Sequence, residues 1–191
     1  MAEFLQQDWN VLREASETLE RFVLGPDLYW SLTRGSGPHG MAQLSLGTVE
    51  LSIARLTAVR WPEPQQAELL GLISSVDAVR NQWKVGWSRK AQREYGARLR
   101  LWQDALAETV SNKPARGSGY AFEARWRTML DLLEQRSGVQ PAPVEREALA
   151  AMDSRLRAVT RPGQIIWEPE VSAGFPVDPY WYLYVTFSEL D

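Results

Sequence analysis

The chain has no proline over residues 65–111, and this long stretch limits the possible folds more than any other feature. An unbroken helix of this length would be about 70 Å long at 1.5 Å per residue. Apolar residues keep one angular phase through it, from Leu69 to Trp102. Because the phase survives Gly86, we expect one long kinked helix. The alternative is a break there, with Gly86 as a C-cap and Ser88 as an N-cap.

Apolar positions at spacings of three and four predict further helices on both sides of this stretch. The first ends at Gly25 and Pro26, a pair that stops a helix. The predicted helices cover residues 1–24, 41–60, 120–136 and 144–160, with loops at 26–40 and 112–119. Their inward faces and that of the long helix predict a set of core residues: Trp9, Leu12, Ile53, Leu56, Val76, Trp126, Met129 and Leu156.

The sequence pattern changes after Pro162, where prolines become frequent. Residues 164–167 and 180–187 are typical of short strands, and a loop over 168–179 would join them as an antiparallel ribbon. The fold class is therefore all-α: an antiparallel bundle of five or six helices with one long kinked helix and a small C-terminal β-ribbon. We expect a helical bundle over 1–160 and an extension over 161–191 that packs on it within a single domain.

Two residue types that carry much of enzyme chemistry are nearly missing. The 191 residues include no cysteine and one histidine, His39. Disulfides, thiolate nucleophiles and thiolate metal sites are excluded, and so is a metal site built on a histidine pair within one chain. We expect no catalytic residue, no metal and no cofactor. His39 lies in a glycine- and proline-rich loop, so we expect an exposed side chain whose replacement by alanine changes little.

The N-terminus has no basic region followed by an apolar one, so it does not resemble a signal peptide. No run approaches the 18 apolar residues that a membrane span needs. We therefore expect a cytoplasmic protein. Only three of the 21 basic residues are lysine, which indicates a GC-rich genome, and we expect a bacterial source.

Charge is distributed unevenly, although the net charge is only −3. Residues 80–100 carry a charge of +6, whereas residues 163–191 carry −5 and contain no lysine or arginine. We expect these two segments to meet, preferably within one chain. The candidate surface for a partner or a nucleic acid comprises Arg89, Lys90, Arg93 and Arg100. The candidate interface aromatics are Tyr180, Tyr182 and Tyr184 on one face of the last predicted strand.

Three classes of function remain open. The leading interpretation is a non-catalytic protein–protein interaction module, an adaptor or a subunit of a larger assembly, with self-association included. The first alternative is a nucleic-acid-binding subunit that uses the basic, aromatic segment 80–102. The second alternative is a small-molecule binder or an enzyme with a tryptophan-lined pocket, because nine tryptophans are many for this length.

Overall fold

The computed structural model describes residues 3–37, 40–111 and 119–188, most of which are helical. The α-helices are α1 (Glu3–Leu24), α2 (Leu46–Ala58), α3 (Glu63–Gln82), α4 (Lys84–Ser111), α5 (Tyr120–Ser137) and α6 (Pro143–Val159). The strands are β1 (Trp30–Gly37), β2 (Gly40–Leu44), β3 (Thr160–Pro162) and β4 (Val185–Phe187). A mostly helical fold with a small antiparallel β element near its C-terminus, as predicted, is confirmed.

Helix α2 lies at the centre of the packing. It contacts α1 on one side and α5 on another, and α4 packs against both α5 and α6. Every residue from Leu46 to Leu56 is buried, including the charged Glu50 and Arg55. All the core residues predicted from the sequence are buried except Trp126, which is half-buried. A helix covered on all sides must bury its polar side chains, so each of these needs a partner.

The chain between residues 65 and 111 is divided at Trp83. Helix α3 ends at Gln82, Trp83 leaves the helical conformation at φ −115° and ψ 39°, and α4 begins at Lys84. The Trp83 indole donates a hydrogen bond to Glu20 Oε1 of α1 at 3.0 Å. The interruption therefore lies three residues before Gly86, and a contact with another helix holds it in place. Neither a proline nor a glycine marks it.

A β-hairpin replaces the loop predicted over 26–40 and the first turn of the next predicted helix. Strands β1 and β2 pair antiparallel, with Trp30 opposite Leu44. Helix α2 starts only after Ser45, whose Oγ accepts a hydrogen bond from the Thr48 backbone N–H at 3.1 Å. Thr48 Oγ1 in turn accepts from the Ser45 N–H at 2.9 Å, which completes a capping box. The prediction for His39 concerns a residue outside those described.

The C-terminal segment, residues 160–188, differs in detail from the predicted ribbon. Strand β3 pairs antiparallel with β4, so the first strand lies before residues 164–167 rather than on them. Two 3₁₀ turns, Pro169–Gly174 and Trp181–Leu183, occupy the predicted loop and much of the predicted second strand. The first turn packs on α2 and the second on α5. Segment 160–188 thus follows the surface of these two helices.

Candidate functional site

The basic residues predicted to form a partner surface are not all available on the surface. Lys90 is buried, and its Nζ donates to the backbone oxygens of Gly25, at 2.9 Å, and Asp27. Burial lowers the pKa of Lys90 from its ordinary value. Arg93 is exposed but donates to the Pro26 backbone oxygen at 3.1 Å. The prediction that placed Lys90 on a partner surface is therefore corrected. Its ammonium group is buried in contacts with the backbone that follows α1, so a partner cannot reach it.

Arg89 and Arg100 are exposed, as expected of surface residues. Arg98, at the edge of the same basic segment, is buried and donates to Glu94 Oε1 at 3.1 Å. Arg80 likewise pairs with Glu50 and Asp77, so two of the seven basic residues of segment 80–100 form ion pairs in the described part of the chain. This local pairing leaves a smaller basic surface than the sequence suggested.

The tyrosines expected at an interface face the inside of this chain. Tyr180 and Tyr182 are buried, and Tyr184 is half-buried. The Tyr182 hydroxyl donates to Asp131 Oδ2 of α5 at 2.7 Å, and the Tyr184 hydroxyl donates to the Phe175 backbone oxygen at 2.7 Å. The alternation expected of a strand does not apply, because the second 3₁₀ turn rotates these residues inward. The prediction of an exposed tyrosine face is corrected accordingly.

The acidic C-terminal segment meets a different arginine from those expected. Glu168 pairs with Arg55 of α2, while Glu170 and Asp178 are exposed. Among the described ion pairs, none joins residues 163–188 to residues 80–100. The predicted meeting of the two charged segments is therefore corrected. The segment does pack on its own chain, but it lies along α2 and α5.

A pocket of about 200 Å³ lies where segment 160–188 crosses the start of α1, the last turn of α2 and the first turns of α5. Its lining combines aromatic, aliphatic and charged side chains from all four parts of the chain. The lining residues are Phe4, Arg55, Ala121, Arg125, Ile166, Trp167 and Glu168. We call this cavity the arginine pocket.

Arg55 is fixed in place by two carboxylates and two aromatic rings. Its Nε donates to Asp8 Oδ2 at 2.8 Å and its Nη2 donates to Glu168 Oε2 at 3.0 Å. Its guanidinium carbon lies 5.0 Å from the Trp167 ring centroid and 5.7 Å from that of Phe4. These contacts hold the side chain in one orientation, and they leave Nη1 without an acceptor among the described residues.

Asp8 forms the inner end of this arrangement. It is buried and also accepts a hydrogen bond from Ser52 Oγ at 3.0 Å. Burial raises the pKa of Asp8, although Arg55, Arg125 and the Ser52 hydroxyl all act in the opposite direction. Removal of a carboxylate from water thus outweighs even two nearby guanidinium groups.

Trp167 is the aromatic wall of the pocket, and its position is equally well defined. Its Nε1 donates to the Ala121 backbone oxygen at 2.7 Å, at the start of α5. Its ring packs edge to face on Phe175 with centroids 5.1 Å apart. The hydrogen bond satisfies the only polar atom of the indole, so the ring can serve as a rigid apolar surface.

Arg125 differs from the other charged residues of the pocket. It is half-buried, and its guanidinium carbon lies 5.1 Å from the Phe122 ring centroid one turn earlier on α5. Within the described part of the chain, its guanidinium forms no hydrogen bond and no ion pair. Burial lowers the pKa of Arg125 to about 10, so it still carries its charge at neutral pH. The pocket therefore contains a cation with unused donors.

The arrangement can bind an anion beside an apolar surface. The described residues contain no cluster of three or more His, Asp or Glu that could hold a metal ion. None of the described helices is long and apolar enough to cross a membrane. No sequence pattern distinguishes Arg55 or Arg125, since many arginines lie on amphipathic helices and only the packing shows which of them turn inward.

Comparison with family models, with curated proteins and with solved structures finds no match for this chain. Function must therefore be argued from the geometry of the site itself.

Proposed function

We propose that this protein binds a small anionic molecule in the arginine pocket, without catalysing a reaction on it. The observation that carries the proposal is Arg125, a half-buried guanidinium that lines a pocket and forms no direct hydrogen bond or ion pair among the described residues. Other buried arginines of this chain, such as Arg55 and Arg127, each pair with carboxylates. Arg125 is the exception, and it lies where a ligand can reach it.

The physical reason is the energy of a charge kept from water. A half-buried guanidinium that no anion contacts directly lowers the stability of the fold, because the cost of burial exceeds the attraction of Asp8 and Glu168 and lowers the pKa of Arg125. A bound anion would accept charge-assisted hydrogen bonds, which are about twice as strong as neutral ones. Such a ligand would supply the hydrogen bonds to the Arg125 guanidinium that the folded chain does not supply.

The walls of the pocket are suited to binding because they are already in place. Trp167 is fixed through Ala121, and Arg55 through Asp8 and Glu168. A site that needs no rearrangement does not spend binding energy on ordering side chains. Apolar walls with a few placed polar groups are the usual composition of small-molecule sites.

The proposal is tested by thermal unfolding in a panel of anions. A specific ligand at 100 times its dissociation constant adds about 2.7 kcal/mol to the free energy of unfolding. We expect at least one small anion to raise the melting temperature of the wild-type protein and not that of Arg125→Gln. The matched control is Arg89→Gln, which removes an exposed arginine and should respond as the wild type does. An equal response of all three proteins to every anion would contradict the proposal.

A second candidate function is a protein contact, and the outer face of α3 favours it. Leu70 is 58% exposed, and Val85 just after α3 is 73% exposed. Between them the outward positions Gly71, Ser74 and Ala78 are exposed and uncharged. A second copy of the chain could pack here without like charges meeting. Light scattering across a concentration series tests this: Leu70→Glu should abolish any self-association of the wild type, and a monomeric wild type would rule it out.

A further inference from the structure

We infer that the ligand of the arginine pocket is a flat monocarboxylate, an aromatic acid of about the size of benzoate. The inference rests on the proposed function and specifies its ligand class. It follows from the charge balance of the pocket, from the donors left unused and from the volume and walls.

The charge balance limits the ligand to a single negative charge. Two arginines, Arg55 and Arg125, face two carboxylates, Asp8 and Glu168, in and directly behind the pocket. The group is thus close to neutral before a ligand arrives. A carboxylate adds one negative charge and pairs it with Arg125. A phosphate dianion would bring a second charge next to Glu168, and like charges in a partly desolvated site repel strongly.

The unused donors favour a carboxylate as well. A guanidinium presents two parallel N–H groups, and these match the two oxygens of a carboxylate. The Arg125 guanidinium is available in this way, whereas Arg55 already gives its Nε–H to Asp8 and one Nη2 N–H to Glu168. One two-oxygen acceptor would satisfy Arg125, and the remaining donors of Arg55 in the same lining offer an additional contact.

The walls and the volume define the rest of the ligand. Phe4, Ala121, Ile166 and Trp167 form the apolar part of the lining, and the Arg55 guanidinium lies against the Phe4 and Trp167 rings. A volume of 200 Å³ corresponds to about seven water molecules at roughly 30 Å³ each. A ring with one carboxylate substituent has nearly this size, and its flat face can stack on an indole. We expect a dissociation constant of about 10 µM to 1 mM, which lies within the limits for a ligand of this size.

Glu168 is then the residue that selects against dianions. Its Oε2 accepts from Arg55, and a glutamine side chain keeps an oxygen for that hydrogen bond while losing the charge. We expect Glu168→Gln to improve the binding of phenylphosphonate at pH 8 by about tenfold, and that of benzoate by much less. This difference between two ligands is a readout that a purely structural role of Glu168 would not produce.

The test is isothermal titration of the full chain with benzoate, benzyl alcohol, phenylphosphonate and inorganic phosphate. We expect benzoate to bind the wild type, benzyl alcohol and inorganic phosphate not to bind, and phenylphosphonate to bind at least tenfold more weakly than benzoate. Arg125→Gln should weaken benzoate binding at least tenfold, whereas Arg89→Gln should leave it unchanged. Arg125→Lys keeps the positive charge but loses the two parallel N–H donors of the guanidinium. Its affinity for benzoate should therefore lie between those of the wild type and Arg125→Gln.

The possible failures are distinguishable. If phenylphosphonate or phosphate binds more tightly than benzoate and Arg125→Gln abolishes that binding, the pocket binds anions but the monocarboxylate inference is overturned. If benzoate binds equally well to Arg125→Gln, the proposed site itself is wrong. Circular dichroism and urea unfolding of each variant establish that it is folded. Should Arg125→Gln fail to fold, the comparison of Arg125→Lys with the wild type decides the question.

Discussion

Arg55 Nη2 lies 3.0 Å from Glu168 Oε2, although 113 positions of the sequence separate the two residues. The Arg55 side chain is 3% exposed and that of Glu168 is 20% exposed, so water screens the pair only in part. The contact joins the central helix α2 to segment 160–188. It also closes one wall of the arginine pocket, so the fold and the site depend on the same pair.

Removing the Glu168 carboxylate should therefore cost stability. We expect Glu168→Ala to lower the free energy of unfolding by about 1–3 kcal/mol, because a buried arginine loses one acceptor but keeps Asp8. Glu170→Ala removes an exposed carboxylate of the same segment and should change stability by less than about 0.5 kcal/mol. Urea unfolding measures both. Equal effects of the two substitutions would show that the Arg55 contact contributes nothing.

Deletion of residues 161–191 should prevent cooperative folding. The segment buries five large side chains among others: Trp167, Val171, Phe175, Tyr182 and Leu183. Each contributes about 1.5–3 kcal/mol, so together they match the whole stability of a typical domain. Reversal of Arg89 and Arg93 to glutamate should cost less than about 1 kcal/mol, because both lie on the surface.

Urea unfolding followed by circular dichroism measures both of these variants. An unfolding midpoint that survives the deletion unchanged would mean that the helices fold without segment 160–188. That result would also mean that the protein is stable without one wall of the arginine pocket.

Two glycines offer a matched pair of substitutions. A Cβ on Gly47, in the first turn of α2, would lie 2.6 Å from Glu94 Oε1, which accepts the Gly47 N–H at 3.0 Å. We expect Gly47→Ala to cost about 1–3 kcal/mol, because the buried carboxylate has to move. A Cβ on Gly71 of α3 would meet nothing within 4 Å, so Gly71→Ala should add up to about 1 kcal/mol. Thermal unfolding measures both, and the same sign for the two would contradict this account.

The buried carboxyl group of Glu50 should make the free energy of unfolding depend on pH. It is buried and accepts from Arg80 Nη2 at 2.6 Å and from Ser137 Oγ at 3.0 Å. Burial raises the pKa of Glu50, and this outweighs the attraction of Arg80. The folded state therefore holds the proton more tightly than the unfolded state, so this group contributes less stability as the pH rises through its raised pKa.

Glu50→Gln replaces the carboxyl group by an amide that does not titrate, so the variant lacks this source of pH dependence. The free energy of unfolding of the wild type minus that of the variant should accordingly fall between pH 4 and pH 7. Urea unfolding at both values measures it. A difference that rises over this range would mean that Arg80 lowers the pKa of Glu50 below its ordinary value.

Elements with strong local signals could be predicted from the sequence. Helix α1 and its end at Gly25, and helices α5 and α6, lie within two residues of their predicted bounds. Their apolar spacing and their flanking glycines and prolines depend on neighbouring residues alone.

The hairpin of β1 and β2 could not be predicted in the same way. Its residues Arg34–Gly37 are typical of a loop, and their strand conformation depends on pairing and on packing against α1. The tyrosines of segment 160–188 were misplaced because a 3₁₀ turn rotates residues that alternate in a strand.

The site was the least predictable part. Asp8, Arg55, Arg125 and Glu168 stand far apart in the sequence, and each resembles an ordinary charged residue of a helix or loop. Only tertiary packing shows that α2 is covered on every side and turns Arg55 inward. No spacing along the chain carries that information.

The most direct test of the central claim observes Arg125 itself. In ¹H–¹⁵N spectra of arginine side chains, the Nε–H signal of Arg125, assigned through its absence in Arg125→Lys, reports whether an anion contacts that guanidinium. We expect this signal to shift progressively with added benzoate and to saturate, while the signals of exposed arginines such as Arg89 stay in place. An Arg125 signal that does not move, or that moves no more than that of Arg89, would contradict the assignment of the arginine pocket as a binding site.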